Sequence, residues 1–148
     1  TRDEVFYAWK GSKAYMNGNV IKVSDVEKLS DALIATGRPH DYLKFKTQLI
    51  KTLEFFTLNT HGLRQSGSAA TDLAYLACGR YEGRFEFGLK PWDIAAGIII
   101  IKQAGGKVSD FSGNNEYFKN GEFVAANSLI HEEMQYKLSS LIYNKWNL

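Results

Sequence analysis

The sequence predicts a layered α/β fold, and three observations lead to this prediction. Short apolar segments typical of strands alternate with amphipathic segments typical of helices along the 148 residues. The connections between these segments are short and marked by glycine. No internal repeat, low-complexity tract or linker interrupts the alternation. We therefore expect mixed sheets with flanking helices in one compact unit that can bury a core.

The first forty residues are predicted to be rich in strands. Residues 5–10 and 13–16 are apolar segments, and residues 20–23 form a third one. Asn17-Gly18 lies between the last two, which indicates a hairpin, because a type I′ turn needs positive φ at both central residues. Residues 31–36 (DALIAT) end at Gly37 and are consistent with a buried strand.

The rest of the chain is predicted to alternate between helices and strands. Apolar residues recur every three or four positions within residues 41–57, which indicates an amphipathic helix. Ser68 is placed to cap a helix over residues 69–78, and Asp93 to cap one that runs to residue 104. A last helix is expected from Ser128. Short strands are predicted over residues 62–65, 84–87, 108–111 and 123–126.

Composition limits the classes of function. The net charge is +2, with 18 basic and 16 acidic residues, so the chain shows no basic footprint for nucleic acid. The longest apolar run, residues 94–101, is too short to span a membrane, and no signal peptide is visible. Cys78 is the only cysteine, which excludes an intrachain disulfide, and we expect a cytoplasmic protein and a buried, inert thiol. The chain opens without methionine in an apparent strand, so we expect a fragment.

Asp93 admits two interpretations from the residues alone. A carboxylate at the start of an apolar helix caps the first turn and interacts favourably with the helix dipole. The same carboxylate, held rigidly beside a buried Trp92, would be a hard oxygen ligand of the kind that suits Mg²⁺. One carboxylate does not make a metal site, so the sequence pattern leaves both interpretations open.

Two further places could carry chemistry. The glycine and small residues of Gly67-Ser68-Ala69, at a strand-to-helix junction, allow either close packing or the approach of a ligand to backbone N–H groups. Glu86, between two phenylalanines, is either an exposed strand residue or a binding carboxylate, with Arg64 as a plausible partner. The segment is not a P-loop, and no Gly-x-Ser-x-Gly elbow is present. The three histidines lack the spacing of zinc ligands, and His131 is expected at the surface.

Together these segments resemble the inositol monophosphatase family from about residue 5 to residue 127. The resemblance rests on Ala32-Leu33-Ile34-Ala35-Thr36-Gly37, on Arg64 with Gly67-Ser68-Ala69-Ala70, on Glu86, and on Pro91-Trp92-Asp93-Ile94-Ala95-Ala96-Gly97. The last motif, at this spacing from the Gly-Ser-Ala-Ala segment, is highly specific. The resemblance therefore favours Asp93 as a metal ligand over Asp93 as a helix cap alone.

The resemblance implies an α-β-α-β-α sugar-phosphatase-like architecture and Mg²⁺-dependent hydrolysis of a small phosphate monoester. It implies that Asp93 binds Mg²⁺ and that Gly67, Ser68 and Ala69 contact the substrate alcohol. By the same matching, Glu86 contacts substrate hydroxyls and Arg64 lies near it. Family members are commonly homodimers, so a homodimer is expected for the complete protein, with neither nucleic acid nor a membrane as partner.

The departure from the family pattern narrows this expectation. The family's Gly-Glu-Glu and Asp-Pro-(Ile/Leu)-Asp-Gly-(Thr/Ser) motifs, which carry the other metal ligands and the catalytic groups, do not occur in the sequence. We therefore expect residues 1–148 to be the C-terminal portion of such an enzyme and to be inactive alone. Within it, residues 1–40 would supply strands of a first sheet and residues 41–148 an alternating α/β subdomain.

Other functions remain open at this stage. A fructose bisphosphatase or a nucleotide 3′-phosphatase of the same superfamily would share most of these motifs. The nucleotide branch is less favoured, because Gly88-Leu89-Lys90-Pro91 stands where that branch has a Gly-Pro-Thr-x-Glu run. The alternative outside enzymes is a half-domain that binds a polyol phosphate or pairs with another chain.

Overall fold

Four layers of secondary structure, in the order α-β-α-β, form the fold seen in a computed structural model that describes residues 3–143. The outermost sheet has three antiparallel strands, β1 (Phe6–Tyr7), β2 (Ala14–Met16) and β3 (Asn19–Ile21), in that order. Asn17 and Gly18 connect β2 to β3 with φ values of 49° and 82°. Both values are positive, so the predicted turn of the hairpin is confirmed.

The inner sheet has five strands: β4 (Leu33–Thr36), β5 (Gly62–Arg64), β6 (Gly83–Glu86), β7 (Lys107–Ser109) and β8 (Phe123–Ala126). Their order across the sheet is β5-β4-β6-β8-β7. Strand β4 is parallel to both of its neighbours, whereas β8 is antiparallel to β6 and to β7. The carboxyl ends of β4, β5 and β6 therefore meet at one edge of the sheet.

Five α-helices flank the sheets: α1 (Lys46–Asn59), α2 (Ala69–Ala77), α3 (Pro91–Gln103), α4 (Tyr117–Asn120) and α5 (His131–Tyr143). Helix α1 begins later than predicted, because the amides of Lys44 and Phe45 bond to the carbonyls three residues earlier, as in turns. Helix α5 also begins later, since the Asn127 side chain accepts from the amides of Leu129 and Ile130 and holds a turn there. The short helix α4 was not predicted.

The core lies on both faces of the five-stranded sheet. Helices α1 and α5 cover one face with residues such as Leu49, Phe56 and Leu138. Helices α2 and α3 cover the other face, and the three-stranded sheet packs on their far side. Strand β8 alternates accordingly, with Phe123 in one cluster and Val124 in the other. The predicted layered α/β fold is confirmed.

The proposed division of the chain into two parts at residue 40 stays a prediction. The five-stranded sheet contains strands from both sides of this residue. Strand β4 lies before residue 40, yet it pairs with β5 and β6 of the later segment. None of the helices within residues 3–143 is long and apolar enough to cross a bilayer.

Two residues lie differently from what the sequence pattern predicted. His131 is buried, with 6% of its surface exposed, because the start of α5 packs on β7 and brings the His131 Nε2 within 3.3 Å of Ser109 Oγ. Trp92 is 79% exposed rather than buried, because the buried stripe of α3 runs through Ile94, Ile98 and Ile101 on another face of the helix.

Candidate functional site

A cavity of about 430 Å³ lies at the carboxyl ends of the parallel strands β4, β5 and β6. Its walls come from the segments that follow these strands, at Gly37 to His40, Gln65 to Ala69 and Phe87 to Leu89, together with Asp93 of α3. Ligands of α/β proteins bind in the crevice outside the carboxyl ends of the strands. The topology therefore makes this cavity the candidate site.

The first turn of α2 forms one wall of the cavity. Gly67 has a φ of +87°, which a glycine adopts without strain, and it turns the chain from β5 into the helix. The Ser68 Oγ accepts a hydrogen bond from the Thr71 amide at 3.3 Å, so the predicted cap is confirmed. Gly67, Ser68 and Ala69 all line the cavity, where the N–H groups of a helix start can donate to a polar or anionic group.

Glu86 also lines the cavity and is buried, not exposed to solvent as one interpretation of the sequence had it. Phe85 and Phe87 point into the core beneath α1 and α5, so the alternation of the strand turns Arg84 and Glu86 towards α2. The Arg84 Nη2 donates to the Glu86 Oε2, and the Arg84 Nε donates to the Asp72 Oδ2 at 3.2 Å. Glu86 is thus held as one end of a buried Asp72–Arg84–Glu86 network.

The expected pairing of Arg64 with Glu86 is wrong. Strand β4 lies between β5, which carries Arg64, and β6, which carries Glu86, so the two side chains are separated by a strand. Arg64 is exposed, and its Nη1 donates to the carbonyl of Leu63 at 2.9 Å. It is not among the residues that line the cavity. Its role in substrate binding stays a prediction.

Asp93 lies in the first turn of α3 and lines the same cavity. The helix begins at Pro91, so Asp93 is its third residue rather than the residue before it. The Asp93 Oδ2 accepts a hydrogen bond from the backbone amide of Lys90 at 2.9 Å, and this bond caps the first turn of the helix. This hydrogen bond fixes the carboxylate, and capping and metal binding are therefore compatible roles for it.

The described residues supply one ligand for a hard cation rather than a complete site. Of the carboxylates that line the cavity, Asp72 and Glu86 both bond to Arg84, which leaves Asp93 as the candidate ligand. Within residues 3–143 no group of three or more His, Cys, Asp or Glu side chains could hold a metal ion. Mg²⁺ takes several oxygen ligands, so further groups from outside these residues would have to complete its coordination.

Sequence reasoning named only part of this cavity, and the lining residues that it did not assign to the site include Thr36, Gly37, Asp72 and Arg84. Arg84 could have been found, since residues two apart on a strand share a face and Glu86 was already a candidate. Asp72 could not, because its pairing with Arg84 depends on how α2 packs on the sheet. Gly37 contributes by lacking a side chain, because a Cβ at this position would lie within 3.0 Å of the Glu86 carboxylate.

The fold and the cavity define an α/β protein that can bind a small polar molecule at the carboxyl ends of its parallel strands. The sequence model of the inositol monophosphatase family matches residues 1–145. The chain belongs to the inositol monophosphatase family, and its fold is that of the family's phosphatases, as the resemblance implied.

Individual relatives agree with this assignment. The Nus factor SuhB of Escherichia coli K12 is 40% identical over 133 residues, which are 90% of this chain and 50% of that protein. The solved inositol monophosphatase from Anabaena (Nostoc) sp. PCC 7120 has a TM-score of 0.86 and 39% identity, over 92% of this chain and 54% of that one. The Thermotoga maritima IMPase has a TM-score of 0.82 and 37% identity, over 94% and 52%. The chain spans about half the length of the curated relatives it matches.

Proposed function

We propose that the complete protein containing this chain is an Mg²⁺-dependent phosphatase that hydrolyses a small phosphate monoester, such as inositol monophosphate. The single observation that carries the proposal is the convergence of Gly67, Ser68, Ala69, Glu86 and Asp93 on one cavity. These residues come from three different elements: the start of α2 with the turn before it, β6 and α3. A family signature that folds into one polar cavity is consistent with a retained site.

Each group has a role that its position supports. The N–H groups at the start of α2 donate to the oxygen of the substrate alcohol. The Glu86 carboxylate accepts hydrogen bonds from hydroxyls of the leaving group. Asp93 would hold Mg²⁺, which when bound activates water and neutralises charge on the phosphoryl oxygens. We propose that the complete protein acts as a homodimer on a small-molecule substrate.

This chain would contribute one side of the site. The family motifs that carry the other metal ligands are absent from the sequence, and the described residues offer one free ligand, Asp93. We therefore propose that the chain alone binds Mg²⁺ weakly and has no significant phosphatase activity.

A second candidate function, that of a bisphosphatase, is favoured by a cationic pocket next to the cavity. This pocket, of about 200 Å³, is lined by His40, Lys44, Lys90 and Lys119, and it shares Gly88 and Leu89 with the cavity. Asp41 also lines it and offsets part of the positive charge. A second phosphate on the leaving group would meet these cations, as in fructose 1,6-bisphosphate.

Phosphate release by the purified complete protein tests both candidates. Inositol 1-phosphate, fructose 1,6-bisphosphate and a nucleoside 3′-phosphate are compared, each with Mg²⁺ and with EDTA. We expect Mg²⁺-dependent release that is fastest with inositol 1-phosphate. Faster release from the bisphosphate would favour the second candidate, and no metal-dependent release from any substrate would refute the phosphatase proposal.

A further inference from the structure

Arg84 and Asp72 are the most deeply buried charged residues that line the cavity. The Arg84 side chain is 1% exposed, and the side chains of its partners Asp72 and Glu86 are 1% and 10% exposed. Asp72 also accepts from the hydroxyl of Ser66. Removing three charges from water is costly, and replacing such a network by apolar residues often leaves a protein as stable or more stable. Stability alone is therefore a weak reason for this arrangement.

The network constrains Glu86 from two sides. Arg84 bonds to one carboxylate oxygen, Oε2, and the backbone of Gly37 lies so close that a Cβ there would be within 2.5 Å of the carboxylate atoms. Together the hydrogen bond and the close backbone restrict the orientations open to the Glu86 carboxylate at the cavity wall. A carboxylate held in this way accepts hydrogen bonds from a ligand without losing further rotational freedom.

Arg84 also carries a buried donor that has no partner among the described residues. Its Nη1, together with the Thr36 Oγ1, is buried and has no hydrogen-bond partner among the described residues. Both residues line the cavity. Among the described residues, the guanidinium is therefore oriented by its hydrogen bonds to Asp72 and Glu86 alone. The Arg84 Nη1 and the Thr36 Oγ1 are polar atoms that the fold of the described residues leaves without a hydrogen-bond partner.

We propose that Arg84 is a positioning residue that makes the cavity selective for hydroxylated leaving groups by holding the Glu86 carboxylate as an oriented acceptor. This inference rests on the phosphatase function proposed above. Without the guanidinium, Asp72 and Glu86 would be two buried carboxylates on one wall with no cation between them. Glu86 would then lose the donor that holds its Oε2 and would be free to rotate, so it would no longer present an oriented acceptor to the hydroxyls of a leaving group.

The test measures a ratio rather than an activity. In the complete protein, kcat/KM is measured for inositol 1-phosphate, whose leaving group carries hydroxyls, and for 4-nitrophenyl phosphate, whose leaving group carries none. We expect Arg84→Met to lower the ratio of the two values about 10- to 100-fold, which corresponds to losing a hydrogen bond to a charged group. Loss of folding would lower both values equally and leave the ratio unchanged.

Two further variants show whether Arg84 acts through Glu86. We expect Glu86→Gln to lower the ratio by a similar factor and the double variant Arg84→Met/Glu86→Gln to be no worse than either single one. Arg84→Lys keeps the charge but cannot bridge both carboxylates with the same fork, so we expect a smaller fall, of about threefold or more. If Arg84→Met does not fold, the Lys variant decides the question.

The outcomes separate the inference from the proposed function. A native protein that hydrolyses neither substrate refutes both. A native protein that hydrolyses both, with a ratio that Arg84→Met and Arg84→Lys leave unchanged, refutes the positioning role alone. Multiplicative effects in the double variant would show that Arg84 acts independently of Glu86, which also contradicts the inference.

Discussion

Gly37 shows how one missing side chain shapes the candidate site. It follows β4 directly, and its backbone lies against the Glu86 carboxylate. The family resemblance includes Gly37, but the residue pattern gave it no role beyond ending a strand. The Gly37 backbone lies so close to Glu86 that a Cβ at this position would overlap the space of the buried Glu86 side chain.

Gly37→Ala is expected to destabilise the protein by about 1–3 kcal/mol, because the new Cβ would overlap a buried carboxylate that Arg84 holds in place. Chemical denaturation of the variant and the native protein measures the difference. Gly62→Ala is the matched control, since its Cβ would meet only the Arg64 Nη1 at 3.4 Å and the Leu33 Cδ1 at 3.7 Å. Equal losses in the two variants would contradict the steric account.

His131 makes the stability of the protein depend on pH. Burial, and then the nearby cation of Lys107, lower the pKa of His131 to about 4, against the opposing effect of Glu132. The unfolded chain binds this proton near pH 6.5, where the folded protein does not. The contribution is therefore fully present above pH 6.5 and is lost as the pH falls towards 4, by about 3 kcal/mol for this one group.

Urea denaturation at pH 7, 6, 5 and 4 tests this expectation. His131→Gln, which removes the titrating group, should flatten the part of the pH dependence that lies between pH 6.5 and 4. His40→Gln serves as the control, because His40 is exposed. The expectation fails if the native protein and His131→Gln lose stability in parallel over this range.

Among the elements, the contact between α2 and α3 decides how the cavity is assembled. The start of α2 supplies Gly67 to Ala69 and the start of α3 supplies Asp93, so the packing of the two helices sets the distance between the turn proposed to bind substrate and the carboxylate proposed to bind metal. Gly97 of α3 allows the close approach, since a Cβ there would lie within 3.0 Å of two carbons of Leu73.

Gly97→Ala is therefore expected to destabilise the protein by about 1–3 kcal/mol, although alanine is the better helix former by about 1 kcal/mol. Leu73→Ala in the same chain removes Cγ and Cδ1, two of the three Leu73 carbons that the new Cβ would meet, and keeps the Leu73 Cβ. We expect the double variant to be more stable than the sum of the two single effects predicts, as a double-mutant cycle would measure. Additive effects would mean that the two helices are not in tight contact at this point.

Strongly patterned elements could be predicted from the sequence, and their pairings could not. The Asn17-Gly18 hairpin and the Ser68 cap depend on local backbone chemistry and were predicted correctly. The separation of Arg64 from Glu86 depends on strand order, because β4 lies between β5 and β6. His131 was placed at the surface because its burial depends on β7, which packs against it from a distant part of the chain.

At the scale of the whole molecule, the three-stranded sheet presents apolar surface to solvent. Tyr7, Trp9 and Tyr15 stack on one another with ring centroids 5.3–6.4 Å apart, and Trp9 is 59% exposed. Val5 and Val20 of the same region are 62% and 55% exposed. Exposed apolar surface of this kind drives association. Such a surface is expected where a covering part of the protein is absent, and this chain spans about half the length of its relatives.

The isolated 148-residue chain is accordingly expected to self-associate. Analytical ultracentrifugation over a range of concentrations measures this, with Trp9→Lys as a variant expected to shift the distribution towards monomer. A native chain that stays monomeric at all concentrations would count against the partial-site account and favour a stand-alone half-domain.

The isolated chain is also expected to lack phosphatase activity. With contaminating phosphatases excluded, we expect no Mg²⁺-dependent release of phosphate from inositol 1-phosphate by the chain alone, because Asp93 is its one free candidate ligand in the cavity. Turnover that persists through purification would show that the chain carries a complete site.

The proposed function requires Asp93 to hold Mg²⁺ at the cavity formed by the ends of β4, β5 and β6. The most direct test compares phosphate release from inositol 1-phosphate by the complete native protein and its Asp93→Asn variant across a Mg²⁺ titration. Asparagine can still accept the hydrogen bond from the Lys90 amide, so the helix start is preserved while the charge is removed. We expect the variant to need at least about tenfold more Mg²⁺ and to lose most of its kcat. An unchanged Mg²⁺ dependence with native kcat would contradict the account.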